Sequence, residues 1–201
     1  MFRILRQRLF GQALADFRNY CESLNPTSKQ SRSSFTPGRP QQWIKSGCNF
    51  QSGQRFKIFI PPSPMVVKPG DRLNNFCQRL APEWDSAILT AYKGIDWHKD
   101  HPMFQEWCVM VNLGEANFYI NSNRSFNLKQ AKAGYLWKEA ECYRLTDGMI
   151  VAYNARHWHC TQVPPMQEKR RMSLIIRRWQ PGWEEYICDY IQRLPENWNY
   201  I

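Results

Sequence analysis

The stretch DGMIVAYNARHWH, residues 147–159, carries one predicted strand and the start of another. Its apolar run Met149–Tyr153 ends at a polar turn, and the chain then enters a short segment that holds two histidines. Short apolar runs bounded by turn residues are typical of buried strands. The pattern therefore predicts a strand that ends in a loop beside the histidine cluster.

Similar apolar segments recur on both sides of this stretch. About eight short strands after leading helices predict an α+β, mainly β fold, in which a double-sheet jelly roll (a double-stranded β-helix) is supported by helices on its N-terminal side and followed by a C-terminal helix. A ligand pocket is expected at the mouth of such a barrel. The predicted strands are Arg55–Ile60, Ile88–Tyr92, Trp107–Leu113, Phe118–Ile120, Tyr135–Trp137, Cys142–Leu145, Met149–Tyr153 and Met172–Ile176.

The length of the chain suits one domain. Its 201 residues, 43% of them apolar, are enough for a full hydrophobic core. We expect a single domain over residues 1–201, with a helix and a basic loop or lid in 1–54, the jelly-roll core in 55–180 and a closing helix in 181–201.

Two helices are predicted in the first eighty residues. Apolar residues within 1–24 recur at three- and four-residue steps, the spacing of one helix face. Arginines in this segment leave an organellar targeting signal as the alternative, although Asp16 and Glu22 favour a structural helix. The segment Asp71–Leu80 predicts the second helix, and Trp183–Leu194 is the expected closing helix.

Composition bears on the compartment. No apolar run approaches the roughly 20 residues that a membrane-spanning helix needs, and no signal-peptide pattern is found. The seven cysteines are scattered and form no Cys-x-x-Cys pair, which argues against a disulfide framework or a zinc ribbon and for a reducing compartment. We expect an intracellular protein, cytoplasmic or nuclear, without membrane contact, and we expect a monomer.

The four histidines fall into two clusters, His98-Lys99-Asp100-His101 and His157-Trp158-His159. In an extended strand residues two apart point to the same side, so His98 and Asp100 would aim an imidazole and a carboxylate at one point. Either His157 or His159 can supply a third ligand, which completes the two-His-one-carboxylate set of non-haem Fe(II) sites. Ordinary polar histidines at the surface or in the core are the alternative.

Positive charge is concentrated early in the chain. The formal net charge is +10, and no Asp or Glu occurs between Glu22 and Asp71. Lysines and arginines alternate there with aromatic residues, so a polyanion would find both phosphate contacts and stacking faces. This pattern predicts single-stranded DNA or RNA as a partner, and a basic protein without a polyanion partner is the alternative. The candidate stacking residues are Trp43, Trp97, Phe104 and Trp107.

Residues 147–159 are similar to the strand, turn and strand unit of the 2-oxoglutarate- and Fe(II)-dependent oxygenases. In that unit a glycine opens the first strand, here Gly148, and the distal metal ligand follows the loop behind a bulky apolar residue such as Trp158. The resemblance implies that His159 is the third ligand. It leaves His157 in contact with a ligand or with the substrate.

The strand Arg171–Arg177 resembles the closing Arg-x-Asn-x-x-x-Arg strand of the AlkB-like branch of these enzymes, with Ser173 where asparagine is more usual. The resemblance implies that Arg171 binds the distal carboxylate of 2-oxoglutarate, for which a guanidinium is a natural partner. Ser173 would lie on the same side of the strand. Arg177 would approach the other end of the cosubstrate.

Two upstream elements match in part. Thr90-Ala91-Tyr92 resembles the Asn-x-Tyr element of AlkB-like enzymes, with Thr90 in place of asparagine, which implies that the Tyr92 hydroxyl binds 2-oxoglutarate. The stretch 109–114 resembles the Ser-Leu-Gly strand that follows the metal motif. The resemblance covers roughly residues 89–178.

This resemblance implies Fe(II) as cofactor, with 2-oxoglutarate and O2 as cosubstrates. For the AlkB-like branch it implies oxidative demethylation of alkylated bases in nucleic acid, on a base that is unstacked or single-stranded. Two alternatives stay open. One is a 2-oxoglutarate-dependent hydroxylase of a protein side chain or small molecule, and the other is a non-catalytic nucleic-acid-binding module on a jelly-roll scaffold.

Overall fold

The computed structural model describes residues 1–24, 41–46, 65–91, 94–100, 104–123, 135–165 and 171–182. The helices in these residues are α1 (Gly11–Ser23), α2 (Arg72–Leu80) and a 3-10 helix at Tyr135–Glu139. The strands are β1 (Phe2–Arg8), β2 (Gln41–Ser46), β3 (Met65–Val67), β4 (Ser86–Ala91), β5 (Ile95–His98), β6 (Trp107–Leu113), β7 (Ala116–Asn121), β8 (Glu141–Leu145), β9 (Met149–Asn154), β10 (Trp158–Gln162) and β11 (Met172–Arg177).

The strands form two sheets. The larger has the order β1-β9-β6-β11-β4-β2-β3, and the smaller has the order β5-β10-β7-β8. Every pair is antiparallel except β2 with β3. The predicted strand, turn and strand of residues 147–159 are β9 and β10, and the turn between them carries the chain from one sheet to the other.

Side chains on β6 show how the two faces of the larger sheet are used. Cys108 and Met110 pack with Phe118 of β7, so this face of β6 meets the smaller sheet. Val111 and Leu113 belong instead to the apolar cluster that holds the helices. Because side chains alternate along a strand, Asn112 lies on the inner face with Cys108 and Met110.

The helices cover the outer face of the larger sheet. Phe17 of α1 and Leu73 of α2 are buried in one cluster with Leu174 of β11. Each such apolar side chain contributes roughly 1.5–3 kcal/mol to stability on full burial. A mainly β jelly roll with helices on the outside of one sheet is therefore confirmed, while its extent as a single domain stays a prediction.

The prediction of one helix over the first twenty-four residues is wrong in its first half. Phe2–Arg8 is a strand that pairs antiparallel with β9, and the helix begins at Gly11. Phe2 enters the inner face, where its ring stacks on Tyr143 at 3.9 Å, whereas Leu5 packs on the outer cluster. The apolar residues thus serve two faces of a sheet, although their spacing also fits a helix.

Two other local predictions are also wrong. The segment Gln41–Ser46, assigned to a loop or lid, is strand β2, which pairs with β4 and buries Gln42 and Ile44. The segment 135–137, assigned to a strand, is a 3-10 helix that buries Leu136 and leaves Trp137 exposed. In both cases partners distant in the sequence decide the local structure.

The predicted helix Asp71–Leu80 is confirmed as α2, one residue shorter at its start. The predicted strand Arg55–Ile60 and closing helix Trp183–Leu194 lie outside the described residues. No helix within the described ranges is long and apolar enough to cross a membrane.

Gly148, which precedes β9, is required by the fold. Its φ is +79°, and a Cβ there would lie 2.1 Å from the Leu9 carbonyl oxygen. Gly148→Ala should therefore lower the free energy of unfolding by roughly 2–4 kcal/mol, through backbone strain and a backbone clash. Denaturant unfolding would measure the loss.

Gly70→Ala is the matched control for this change. Gly70 also has a positive φ, +92°, but no atom lies within 4 Å of the position of an added Cβ. It should lose only the strain contribution, about 1 kcal/mol. An equal loss in both variants would show that the contact with Leu9 is unimportant.

Candidate metal centre

Two histidines face each other across neighbouring strands. His98 is the last residue of β5, and His159 of β10 is its direct partner in the antiparallel register. Their ring centroids are 4.2 Å apart. Directly opposed residues bring their side chains together on one face, so the strand pairing itself places both imidazoles at one point on the inner side of the smaller sheet.

Asp100 completes the group. Its Oδ1 lies 3.6 Å from Nε2 of His98 and 3.9 Å from Nε2 of His159. Among the described residues these three form the one cluster whose ligand atoms all lie within 4.8 Å of one another. The structure therefore brings together the three residues that the sequence proposed as ligands.

Asp100 reaches this position by a route other than strand alternation. Strand β5 ends at His98, so Asp100 lies beyond the strand. Its backbone nitrogen donates to the Ala155 carbonyl at 3.0 Å, which ties it to the turn between β9 and β10. The same turn leads into His159, so one backbone hydrogen bond links two of the three candidate ligands.

Backbone carbonyls orient both imidazoles. Nδ1 of His98 lies 2.8 Å from the Asp96 carbonyl oxygen, and Nδ1 of His159 lies 2.9 Å from that of His157. A carbonyl oxygen only accepts, so each Nδ1 carries the hydrogen and each Nε2 presents a lone pair to the centre. This is the usual support of a metal-binding histidine.

Charges around the centre favour the metal-binding protonation states. Burial alone would raise the pKa of Asp100, but the neighbouring positive charge of Arg177 outweighs it and holds that pKa well below its usual range. Burial, with a contribution from His98, lowers the pKa of His159 to about 3. At neutral pH the carboxyl is thus ionised and His159 is neutral, as metal coordination requires.

Arg177 and Cys108 occupy the second oxygen of Asp100. Nη2 of Arg177 lies 3.1 Å from Oδ2, and the Cys108 thiol donates to the same oxygen at 3.6 Å. The other oxygen of Asp100, Oδ1, faces the two histidines. Two imidazole nitrogens and one carboxylate oxygen are the donor set of non-haem Fe(II) sites, so the residues present fit iron.

Phe104 supports this arginine. The Arg177 guanidinium lies 4.7 Å from the centroid of the Phe104 ring, which in turn stacks on Trp179 at 4.9 Å. Phe104 is almost fully buried, which favours a packing role over a stacking face for a base. Its ring instead holds the charge beside Asp100.

The other proposed stacking residues are less uniform. Trp97 is buried in a cluster with Trp158 and touches Trp137, whereas Trp107 is partly exposed and carries the Arg3 guanidinium 5.2 Å from its ring centroid. The Trp43 side chain lies outside the described residues.

Arg171 is buried near the start of β11. Its Nε donates to Oδ1 of Asn112 at 3.2 Å, and its Nη2 lies 3.8 Å from the Met110 sulfur. The Ser173 hydroxyl, on the same side of the strand, is 2.8 Å from that of Thr90. The inner face of the larger sheet thus offers one buried guanidinium near each end of β11.

The ring of His157 does not join the candidate metal ligands. Nδ1 of His157 lies 2.9 Å from the backbone nitrogen of Met1, and its carbonyl rather than its ring serves the metal centre. Tyr92 and His101 lie outside the described residues.

Asn112 and Cys108 were not identified from the sequence. Both are polar or polarisable residues on the inner face of an otherwise apolar strand, which is the signal that alternation along β6 could have given. Their relevance depends on the pairing of β6 with β11, which the sequence does not specify.

No protein-family model matches this sequence, and no curated protein matches it. Solved structures do match. SnoK from nogalamycin biosynthesis, a non-heme alpha ketoglutarate dependent carbocyclase, is 12% identical with a TM-score of 0.53, and the match covers 96% of this chain and 86% of that chain. EctD from S. alaskensis with bound Fe is 10% identical with a TM-score of 0.51, over 89% of this chain and 72% of that chain.

EvdMO1 is 12% identical with a TM-score of 0.51, over 90% of this chain and 47% of that chain. This chain therefore spans about half the length of EvdMO1. At such low identities the likeness is one of fold. The chain has the same jelly-roll fold as SnoK, a non-heme alpha ketoglutarate dependent enzyme, and as the iron-binding protein EctD.

Proposed function

We propose that this chain is an Fe(II)- and 2-oxoglutarate-dependent oxygenase. The observation that carries the proposal is the buried group His98, Asp100 and His159, whose ligand atoms converge on the inner side of a jelly roll. The buried Arg171 on the facing sheet adds a site for an anion. SnoK depends on alpha ketoglutarate and EctD binds iron, and both support the use of iron with 2-oxoglutarate by this chain.

Iron at this centre would supply the oxidising chemistry, in which O2 and 2-oxoglutarate yield succinate and CO2 while one oxygen atom enters a substrate C–H bond. The protein binds and orients. His98 and His159 present Nε2, and Asp100 offers one oxygen because Arg177 holds the other. His98, Asp100 and His159 would hold the iron with two imidazole nitrogens and one carboxylate oxygen.

On the cosubstrate side, Arg171 binds the distal carboxylate of 2-oxoglutarate. Its guanidinium stays charged in a buried site and offers paired donors. The Ser173 hydroxyl lies on the same side of β11 and can turn its hydrogen toward the carboxylate or toward Thr90. By its resemblance to the Asn-x-Tyr element, Tyr92 contributes its hydroxyl.

For the substrate, we propose an alkylated base in single-stranded DNA or RNA. We also propose that the protein acts as a monomer. Hydroxylation of an N-methyl group gives an N-hydroxymethyl group. The bond between nitrogen and carbon then breaks, formaldehyde leaves, and the hydroxyl hydrogen passes to the base nitrogen. The net charge of +10 supports a polyanion, and so does the partly exposed pair of Arg3 and Trp107. The second candidate is a hydroxylase of a small molecule or protein side chain, supported by the likeness to SnoK.

The test is succinate formation from 2-oxoglutarate with Fe(II) and ascorbate. Oligonucleotides carrying 1-methyladenine or 3-methylcytosine should raise succinate and release formaldehyde, whereas unmethylated strands of the same sequence should not. Asp100→Ala serves as the blank. Succinate that is equal with and without methylated strands would replace the demethylase by the hydroxylase. No succinate above the blank, with nucleic-acid binding unaffected by His98→Ala, would favour a non-catalytic nucleic-acid-binding module.

A further inference from the structure

Asn112 is fully buried at the inner face of β6, and all its polar groups have partners. Its Nδ2 donates to the carbonyl oxygens of Gly114 at 2.6 Å and Thr146 at 3.1 Å. Its Oδ1 accepts from Nε of Arg171 at 3.2 Å. Because both amide hydrogens are directed at carbonyls, the side chain has one orientation, with its oxygen toward the arginine.

The carbonyls that hold this amide are themselves fixed. Oδ1 of Asp147 accepts from the Gly114 nitrogen at 2.8 Å and from Arg18 of α1 at 2.7 Å. The Gly148 nitrogen donates to the Asn112 carbonyl oxygen at 2.9 Å. The side-chain amide of Asn112 is therefore part of a hydrogen-bond network that joins β6, the turn before β9 and helix α1.

We propose that Asn112 is a positioning residue that holds the Arg171 guanidinium for the distal carboxylate of 2-oxoglutarate. This inference rests on the proposed oxygenase function. With Nε held by Asn112, the carboxylate meets the terminal nitrogens of the guanidinium, a geometry that admits two parallel hydrogen bonds. A fixed guanidinium also loses less side-chain freedom when the cosubstrate binds.

Fixation of Arg171 depends on a side chain as long and as branched as asparagine. A serine hydroxyl has one hydrogen, so it could not donate to the Gly114 and Thr146 carbonyls together.

The experiment measures 2-oxoglutarate binding by calorimetry with Mn(II) in place of iron, so that no turnover is needed. Asn112→Leu, which keeps the approximate size, should raise the dissociation constant for 2-oxoglutarate about tenfold or more and leave that for Mn(II) unchanged. In an Arg171→Met background the same change should have less than about a twofold effect, because Asn112 acts through Arg171.

Asn112→Asp is the second variant, in case the leucine variant folds poorly. It keeps the shape and the acceptor, but its fixed charge would compete with 2-oxoglutarate for Arg171, so it should also weaken binding. The matched control is Asn121→Leu. Asn121 is a buried asparagine that donates to the Leu136 carbonyl at 3.0 Å, so its loss should reduce stability without changing the affinity for 2-oxoglutarate.

The outcomes separate the two levels of the proposal. If the wild-type chain with Mn(II) binds no 2-oxoglutarate, the oxygenase proposal fails and this inference fails with it. If it binds 2-oxoglutarate but neither Asn112 variant weakens binding, or if the Asn112→Leu and Arg171→Met effects simply add, Asn112 has only a structural role and the positioning role is overturned.

Discussion

Asp100→Ala should abolish iron binding and all succinate formation. The change removes the carboxylate oxygen that lies 3.6 Å and 3.9 Å from the two candidate imidazole ligands. Two neutral nitrogens remain, and without the anionic oxygen they provide neither the charge nor the donor count of a non-haem iron site. Metal content after anaerobic dialysis against Fe(II) would be measured, together with succinate yield.

This substitution also strips Arg177 of the carboxylate beside it, and the two effects must be separated. Removing one partner of a buried ion pair destabilises a protein by about 3–5 kcal/mol. The double variant Asp100→Ala with Arg177→Met removes both charges and should recover much of the thermal stability. It should still bind no iron, which assigns the loss of metal to the missing ligand rather than to unfolding.

Asp16→Ala is the control for removal of an aspartate, because Asp16 is a half-buried residue of α1 whose carboxylate accepts an exposed hydrogen bond from Gln12. It should bind iron like the wild type. Iron bound by Asp100→Ala at the wild-type level would mean that Asp100 is not a ligand.

Arg171→Met should raise the dissociation constant for 2-oxoglutarate on the order of 100-fold, because a buried charged hydrogen-bond partner of a carboxylate contributes about 2–4 kcal/mol. Methionine retains much of the aliphatic volume and loses the charge. Iron affinity should stay unchanged, because Arg171 lies at the opposite end of β11 from Arg177, the arginine that contacts Asp100. Calorimetry with Mn(II) would report both affinities.

Two further variants complete this test. Arg171→Lys should restore part of the affinity, because an ammonium keeps the charge but not the paired donors of a guanidinium. Arg144→Met removes an exposed arginine whose partner is Glu115, and it should bind 2-oxoglutarate normally. An unchanged affinity in Arg171→Met would move the cosubstrate anchor to another residue.

The proximity of His98 and Asp100 could be predicted from the sequence, although the structure gives a partly different reason for it. Alternation along a strand was expected to align His98 with Asp100, but β5 ends at His98 and a hydrogen bond to the Ala155 carbonyl directs Asp100 instead. The two residues lie close together because the short spacing in the sequence keeps both near one place. It could not foresee Arg177 beside Asp100, since their contact depends on how β11 lies in the sheet.

Elements whose structure depends on pairing with strands distant in the sequence were harder to predict. Phe2–Arg8 has a spacing that fits a helix, yet its pairing with β9 makes it a strand. Asn112 is one polar residue in an apolar run until β6 and β11 are brought together. A local sequence pattern indicates the spacing of apolar residues and which side chains are buried, whereas the register of one strand against another depends on the whole fold.

The opposition of His98 and His159 has a consequence for how iron enters the protein. The two residues are about sixty positions apart in the sequence and meet only when β5 pairs with β10, a contact that closes slowly because it joins distant parts of the chain. Before that pairing, His98 and Asp100 alone form a weak chelate. Iron bound at the proposed centre would therefore enter an already folded barrel, and it would stabilise the native state by mass action rather than guide the chain to it.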